Sequence, residues 1–224
     1  MKSILLAGAV ATALLTAPAS AAVTINTVLS SAGDPASDPG FAGLGQSLIY
    51  DFDTTSPAPG ALSGDFAILA APGTPGVSAA PSGTAAGTFY LTVPINASSG
   101  TATLNLGGSF SSLSFYWGSV DDYNTVTLIQ SDGTETSFDG TDIGFGVDFD
   151  GNQTDNDSNV RVNFLATGAG ISSIRFNSTG FAFETDTFAG TAVPEPATWA
   201  MMVGGFGMMG FAARRRRVAR SVLA

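Results

Sequence analysis

The sequence contains no cysteine and no histidine. Disulfide staples, thiolate metal sites, cysteine nucleophiles and every imidazole-based triad are therefore excluded. Positive charge is scarce and lies at the ends. Of eight Lys and Arg residues, Lys2 is at the N-terminus and five arginines, Arg214 to Arg217 and Arg220, are in the last eleven positions. Between Ala22 and Gly190 only Arg161 and Arg175 remain, against seventeen acidic residues, a net charge of −15. Such a body repels nucleic acid, whose binding depends on Lys and Arg displacing counterions. Serines are many, but none has a base beside it to activate it. Carboxylates are the reactive groups that remain.

Long apolar runs are also few, and both lie at the chain ends. Met1 to Ala21 has a positive start at Lys2, an apolar stretch from Ile4 to Leu15, and small residues in Pro18-Ala19-Ser20-Ala21. This is the pattern of a secretory signal peptide cut by signal peptidase after Ala21. The second run, 197–213, is uncharged and followed by Arg214 to Arg217. As a helix its 17 residues reach about 25 Å, the lower limit for crossing about 30 Å of hydrocarbon. With the body outside, the arginines stay in the cytoplasm, as the positive-inside rule requires.

Between the ends, residues 22–190 form the expected body. Up to about Gly87 it is punctuated by turn signals such as Asp38-Pro39-Gly40 and Pro72-Gly73-Thr74-Pro75-Gly76. Strands are expected at Ser47 to Phe52 and Asp65 to Ala71, with long loops laid over a sheet and disorder at residues 30–45 and 72–86. From Thr88 period-2 runs follow closely: Thr88 to Pro94, Thr101 to Leu106, Ser111 to Trp117, Thr125 to Gln130, Val160 to Leu165, Ile171 to Asn177 and Phe181 to Phe188. Leu113, Phe115 and Trp117 alternate with Ser112, Ser114 and Tyr116. One apolar and one polar face per strand predicts an all-β fold, an antiparallel two-sheet sandwich of jelly-roll-like type.

Two acidic constellations are candidate calcium sites, since Ca²⁺ takes six to eight hard oxygen ligands with loose geometry. One is the loop carrying Asp148, Asp150, Asn152 and Asp155. It departs from the EF-hand pattern, because Gly151 is fourth rather than sixth and the twelfth residue is Asn159. The other unites Asp51 and Asp53, near the first strand, with Glu184 and Asp186 on the last, on the expectation that these strands are neighbours. Asp and Asn are equally the common residues of turns. Structural calcium is the single cofactor considered. A candidate ligand face for a sugar comprises Tyr116, Asp121, Tyr123 and Asn124. Trp117 shares the apolar face and is assigned to the core, whereas Tyr116 points the other way. Paired carboxylates would serve a glycosidase, but any acidic chain offers such pairs by chance. No catalytic residue is assigned.

Pro194-Glu195-Pro196-x-x-Trp199-Ala200-Met201-Met202, then Gly204-Gly205-Phe206-Gly207, Gly210-Phe211 and the arginine block, closely resembles the PEP-CTERM sorting tail in its PEPxxWA form. The likeness covers residues 191–224: the motif at 194–200, the span at 197–213 and the basic stop Arg214, Arg215, Arg216 and Arg217. It implies recognition by an exosortase, a membrane-embedded protease of Gram-negative bacteria that make exopolysaccharide, with processing near Pro194 to Pro196. The same tail type occurs on some ice-binding proteins. Leu113 to Asn124 and Phe183-Glu184-x-Asp186 resemble a group of exosortase-dependent surface proteins that have no assigned catalytic activity. The implied protein is not an enzyme. It crosses the inner membrane, is anchored there transiently, and then joins the cell surface or extracellular matrix, in a structural or binding role linked to exopolysaccharide or biofilm. A carbohydrate-binding module and a carboxylate-dependent hydrolase are the alternatives.

Overall fold

The computed structural model describes residues 22–30, 40–144, 149–154, 157–194 and 201–209. In chain order its strands are β1 (Ala22–Ser30), β2 (Ser47–Tyr50), β3 (Leu62–Gly64), β4 (Ala67–Ala70), β5 (Gly73–Thr74), β6 (Ser78–Ala79) and β7 (Phe89–Val93). They continue with β8 (Gly100–Gly118), β9 (Asn124–Gln130), β10 (Glu135–Asp139), β11 (Val160–Thr167), β12 (Ile171–Ser178) and β13 (Phe183–Ala192).

The long strand β8 joins two layers. Its first half carries Ala102, Leu104 and Leu106 inward and pairs with β12 and β3. At Gly107 the backbone adopts φ 70, a conformation that glycine takes without steric cost, and a second glycine follows. The second half turns Leu113, Phe115 and Trp117 inward and pairs with β11 and β13. One layer therefore reads β10-β9-β12-β8-β3, and the other β1-β11-β8-β13-β7-β4, with β2 on the second half of β13. Every pairing is antiparallel, and the result is a sandwich.

The core is aromatic. Phe115 lies 5.6 Å from Phe164 and 5.4 Å from Phe188 in its own layer, and 6.0 Å edge-on from Phe176 of β12 across the sandwich. Trp117 stacks on Phe183 at 4.3 Å. Rings of this size dominate the burial that offsets chain entropy, and offset or edge contacts at such distances add to it.

The expected strands after Thr88 are present, and two readings need correction. The runs 101–106 and 111–117 are one continuous strand, because Gly107 and Gly108 bend it without reversing it. Residues 72–86 are ordered: β5 and β6 form a small hairpin there, seated on the sandwich. The loops over a sheet are found as expected, and their effect is large. Segment 40–87 covers the outer face of the β11-β8-β13 layer, so that Ser114, Tyr116, Asn159, Arg161, Asn163 and Glu184 are all buried. Among the described residues no helix is long and apolar enough to cross a membrane. Residues 201–209 are helical, and the remainder of the expected span lies outside the described residues.

Candidate functional site

Strand alternation delivers polar side chains to this covered face. On β13, Phe183 faces the core and Glu184 and Asp186 face outward. Tyr116 of β8 stands between Arg161 of β11 and Asp186 of β13 in one cross-strand row. The covering segment meets them with specific partners. Phe41 places its ring 5.5 Å from the Arg161 guanidinium, whose nitrogens donate to Ser114 Oγ at 2.9 Å and the Thr187 carbonyl at 3.0 Å. The Gln46 amide donates to Asn163 Oδ1 at 2.8 Å and accepts from Ser114 Oγ at 2.5 Å. Tyr116 donates its hydroxyl to the Ser82 carbonyl at 2.9 Å. Gly118 lets the cover close down, since a Cβ there would lie 2.7 Å from the Pro81 Cα.

Glu184 is the most perturbed group on this face. Its Oε1 accepts from the Ala79 backbone N–H at 3.1 Å, and its Oε2 accepts from Ser119 Oγ at 3.2 Å. Ser119 holds φ 39, the left-handed region that few side-chain-bearing residues adopt. Burial pushes the Glu184 carboxyl up from 4.5 to about 8, because desolvation outweighs these two donors, and Asp121 adds repulsion. Asp121 is raised to about 6, first by burial, with Asp122 and Asp150 contributing. The Ser78 hydroxyl and Tyr90 hydroxyl are 2.8 Å apart beside them.

A cleft of about 490 Å³ opens over Glu184. The β5–β6 hairpin, with Pro75, Ser78 and Ala79, forms one wall, and Gln153 and Phe181 approach from other segments. Phe181 is 37% exposed, an apolar ring at the rim. A shallower groove of about 260 Å³ lies at the other end of β13, between Leu48, Ile49, Phe110 and Thr191.

The residues expected to bind calcium are placed apart. Asp51 Oδ1 accepts from the backbone N–H groups of Asp53, Thr54 and Thr55, closing a turn. Asp53 accepts from Phe89 N at 2.9 Å, and Asp186 from Thr187 N at 2.7 Å. The strands are neighbours as expected, β2 against β13, yet their carboxylates are committed to separate partners. Asp150 accepts from Asn152 N and Ser158 Oγ, and Asn152 accepts from Thr154 N; Asp148 and Asp155 lie outside the described residues. Among the described residues no three acidic side chains gather closely enough to hold a metal.

The expected ligand face is closed. Tyr116 does point away from the core, but it is 2% exposed beneath Ser82. Asn124 is buried, donating to the Ala182 carbonyl and accepting from Ser178 Oγ, and Asp121 is buried with it. Tyr123 donates to the Phe181 carbonyl at 2.9 Å. Tyr116, Asp121 and Asn124 are therefore buried and Tyr123 is half-buried. Ser78, Gln153 and Phe181 were not anticipated from sequence: they come from separate segments and share no spacing or motif.

The last strand leads directly to the tail. β13 ends at Ala192, Val193 N donates to the Ser109 carbonyl at 2.7 Å, and Pro194 follows. Residues 192–217 match the PEP-CTERM protein-sorting motif. The chain carries a PEP-CTERM sorting tail. Such a tail implies processing by an exosortase and a secreted, membrane-transiting protein sorted to the cell surface. Pro194 is exposed at the end of the body, whereas Glu195, Pro196, Trp199, Ala200 and Arg214 to Arg217 lie outside the described residues. No curated protein matches the chain in sequence. Among solved structures, the K2 cleaved adhesin domain of Lys-gingipain (Kgp) is 12% identical over 67% of this chain and 100% of its own, with a TM-score of 0.36. CpGH89CBM32-6 produced by Clostridium perfringens is 11% identical over 58% of this chain and 94% of its own, with a TM-score of 0.29. At such scores neither likeness bears on what this chain does.

Proposed function

We propose that this protein is an exported β-sandwich that a Gram-negative cell cuts from a temporary inner-membrane anchor and displays on its surface or in its matrix. It acts there by binding or as structural material associated with exopolysaccharide or biofilm, without catalysis. The observation that carries the reading is the sorting motif at residues 192–217, set immediately after a strand of the folded body. Residues 1–21 fit delivery by a signal peptide, and the absence of histidine and cysteine favours a role without catalysis. Calcium is retained as a candidate ligand of the loop carrying Asp148, Asp150, Asn152 and Asp155.

Mass spectrometry of the mature protein from its own cells tests this. The expected species begins at Ala22 and ends near Pro194 to Pro196, alone or joined to an acceptor. A mature species that keeps Arg214 to Arg217 in cells with an active exosortase would sink the proposal. Turnover of a polysaccharide, lost in a carboxylate variant, would replace the non-catalytic role with that of a hydrolase. Sugar binding is the second reading, favoured by the cleft over Glu184.

A further inference from the structure

The cleft over Glu184 is a built site whose chemistry narrows its ligand. Its volume of about 490 Å³ falls within the roughly 300–1,000 Å³ of small-molecule sites. Neither cation of the body lines it: Arg175 is paired with Glu135 at 2.8 Å, and Arg161 is buried under Phe41. A body of −15 with an uncompensated cleft repels anions, so acidic sugars and phosphates are poor ligands. A wholly apolar ligand would strip water from Glu184 and Ser78 and leave part of their hydrogen-bonding capacity unused, which is costly. A divalent cation needs several oxygen ligands, and among the described residues that line the cleft Glu184 is the one carboxylate.

An uncharged polyhydroxylated ring meets all of these conditions. We propose that the cleft bounded by the β5–β6 hairpin, Gln153 and Phe181, with Glu184 and Ser78 on its floor, binds a neutral saccharide unit. Phe181, a partly exposed residue, stands at the rim, where the C–H face of a sugar can lie against its ring. Gln153 offers an amide donor and acceptor, and Ser78 a hydroxyl backed by Tyr90. The two Glu184 oxygens each accept one bond, from Ala79 N–H and Ser119 O–H. In its neutral form the carboxyl therefore has its own O–H left to donate to a ligand hydroxyl. This ligand class rests on the binding role proposed above. It is separable from sorting, which is read by mass spectrometry without any sugar.

The experiment is calorimetric titration of the full chain, held in a detergent without a sugar headgroup, with maltose, cellobiose and lactose, and with glucuronate as the anionic control. At least one neutral disaccharide is expected to bind with Kd below about 10 mM, and glucuronate is not. Phe181→Ala is expected to weaken binding about tenfold with the circular dichroism spectrum unchanged. If that variant fails to fold, the exposed Gln153→Ala is read in its place, with the same expectation. Wild-type affinity should fall above about pH 8 as Glu184 ionises, and Glu184→Gln should remove that pH dependence, whatever its own affinity. No neutral sugar bound below about 10 mM, a preference for glucuronate, or full affinity in the folded rim variant would each overturn the assignment.

Discussion

Glu184→Gln should remove the loss of stability that the body suffers as pH rises from about 6 to about 8, leaving only the loss that Asp121 contributes below about 6. The folded carboxyl holds its proton up to about 8, against 4.5 ordinarily, so between these values the folded state binds more protons than the unfolded one. Stability from this group is complete below 4.5 and is lost as pH rises through about 8. At about 1.4 kcal/mol per pH unit, the interval amounts to roughly 5 kcal/mol at most. For a body of this size that is a fall in Tm on the order of 10–20 °C. Asp51, Asp132 and Glu135 are held below their usual range, so their contributions are already complete above it and do not change in this window. Asp121, raised to about 6, adds a loss of the same sign at the acid end. Glutamine mimics the neutral acid: its oxygen can accept from Ala79 N–H, and its amide can donate to Ser119 Oγ. Thermal melts of both proteins followed by circular dichroism from about pH 5 to about pH 9 should start together and diverge, with the variant the more stable at the alkaline end. Parallel curves would refute the reasoning, since they would mean that Glu184 ionises without cost and is not desolvated as its burial requires.

Gly118→Ala should cost about 1–3 kcal/mol in urea melts, because the new methyl group meets Pro81 and lifts the cover from Tyr116. Tyrosine fluorescence or solvent perturbation should report that exposure. Phe115→Ala, which removes the ring shared by both layers, should cost about 3–5 kcal/mol with an unchanged urea m-value. Calcium held by the loop carrying Asp148, Asp150, Asn152 and Asp155 should raise Tm in millimolar Ca²⁺ over that in chelator, and equal melting temperatures would remove the loop as a metal site.

Period-2 alternation located the strands well where each had one apolar face, as in 111–117, 160–165 and 171–177. It also separated Trp117 from Tyr116 correctly. It could not tell a polar face turned to water from one turned to other protein. Arg161, Asn163 and Glu184 have the alternation of solvent-facing residues, but segment 40–87 covers them, and that segment has little periodicity of its own. Part of its contribution is made through backbone groups, such as Ala79 N on Glu184 and the Ser82 carbonyl on Tyr116, which are the same for every residue type, and its side-chain partners Phe41 and Gln46 belong to no motif. For the same reason the acidic residues read together as a metal site were separable only in three dimensions. Asp51 and Glu184 lie on or beside adjoining strands but serve a turn and a hairpin respectively.

The strand that enters the sorting tail is an interior one. β13 is flanked by β8 on one side and by β7 and β2 on the other, and its antiparallel bonds run across its length. A body attached through residues just beyond Ala192 receives any external pull along the axis of β13. Such a pull loads the ladders on both sides in shear, so that many bonds must fail together. An edge strand such as β1, paired among the described residues with β11 alone, has a single ladder to resist such a load. Attachment at the C-terminal end therefore places tension where the sandwich resists extraction best, a useful property for a protein held on a surface under flow.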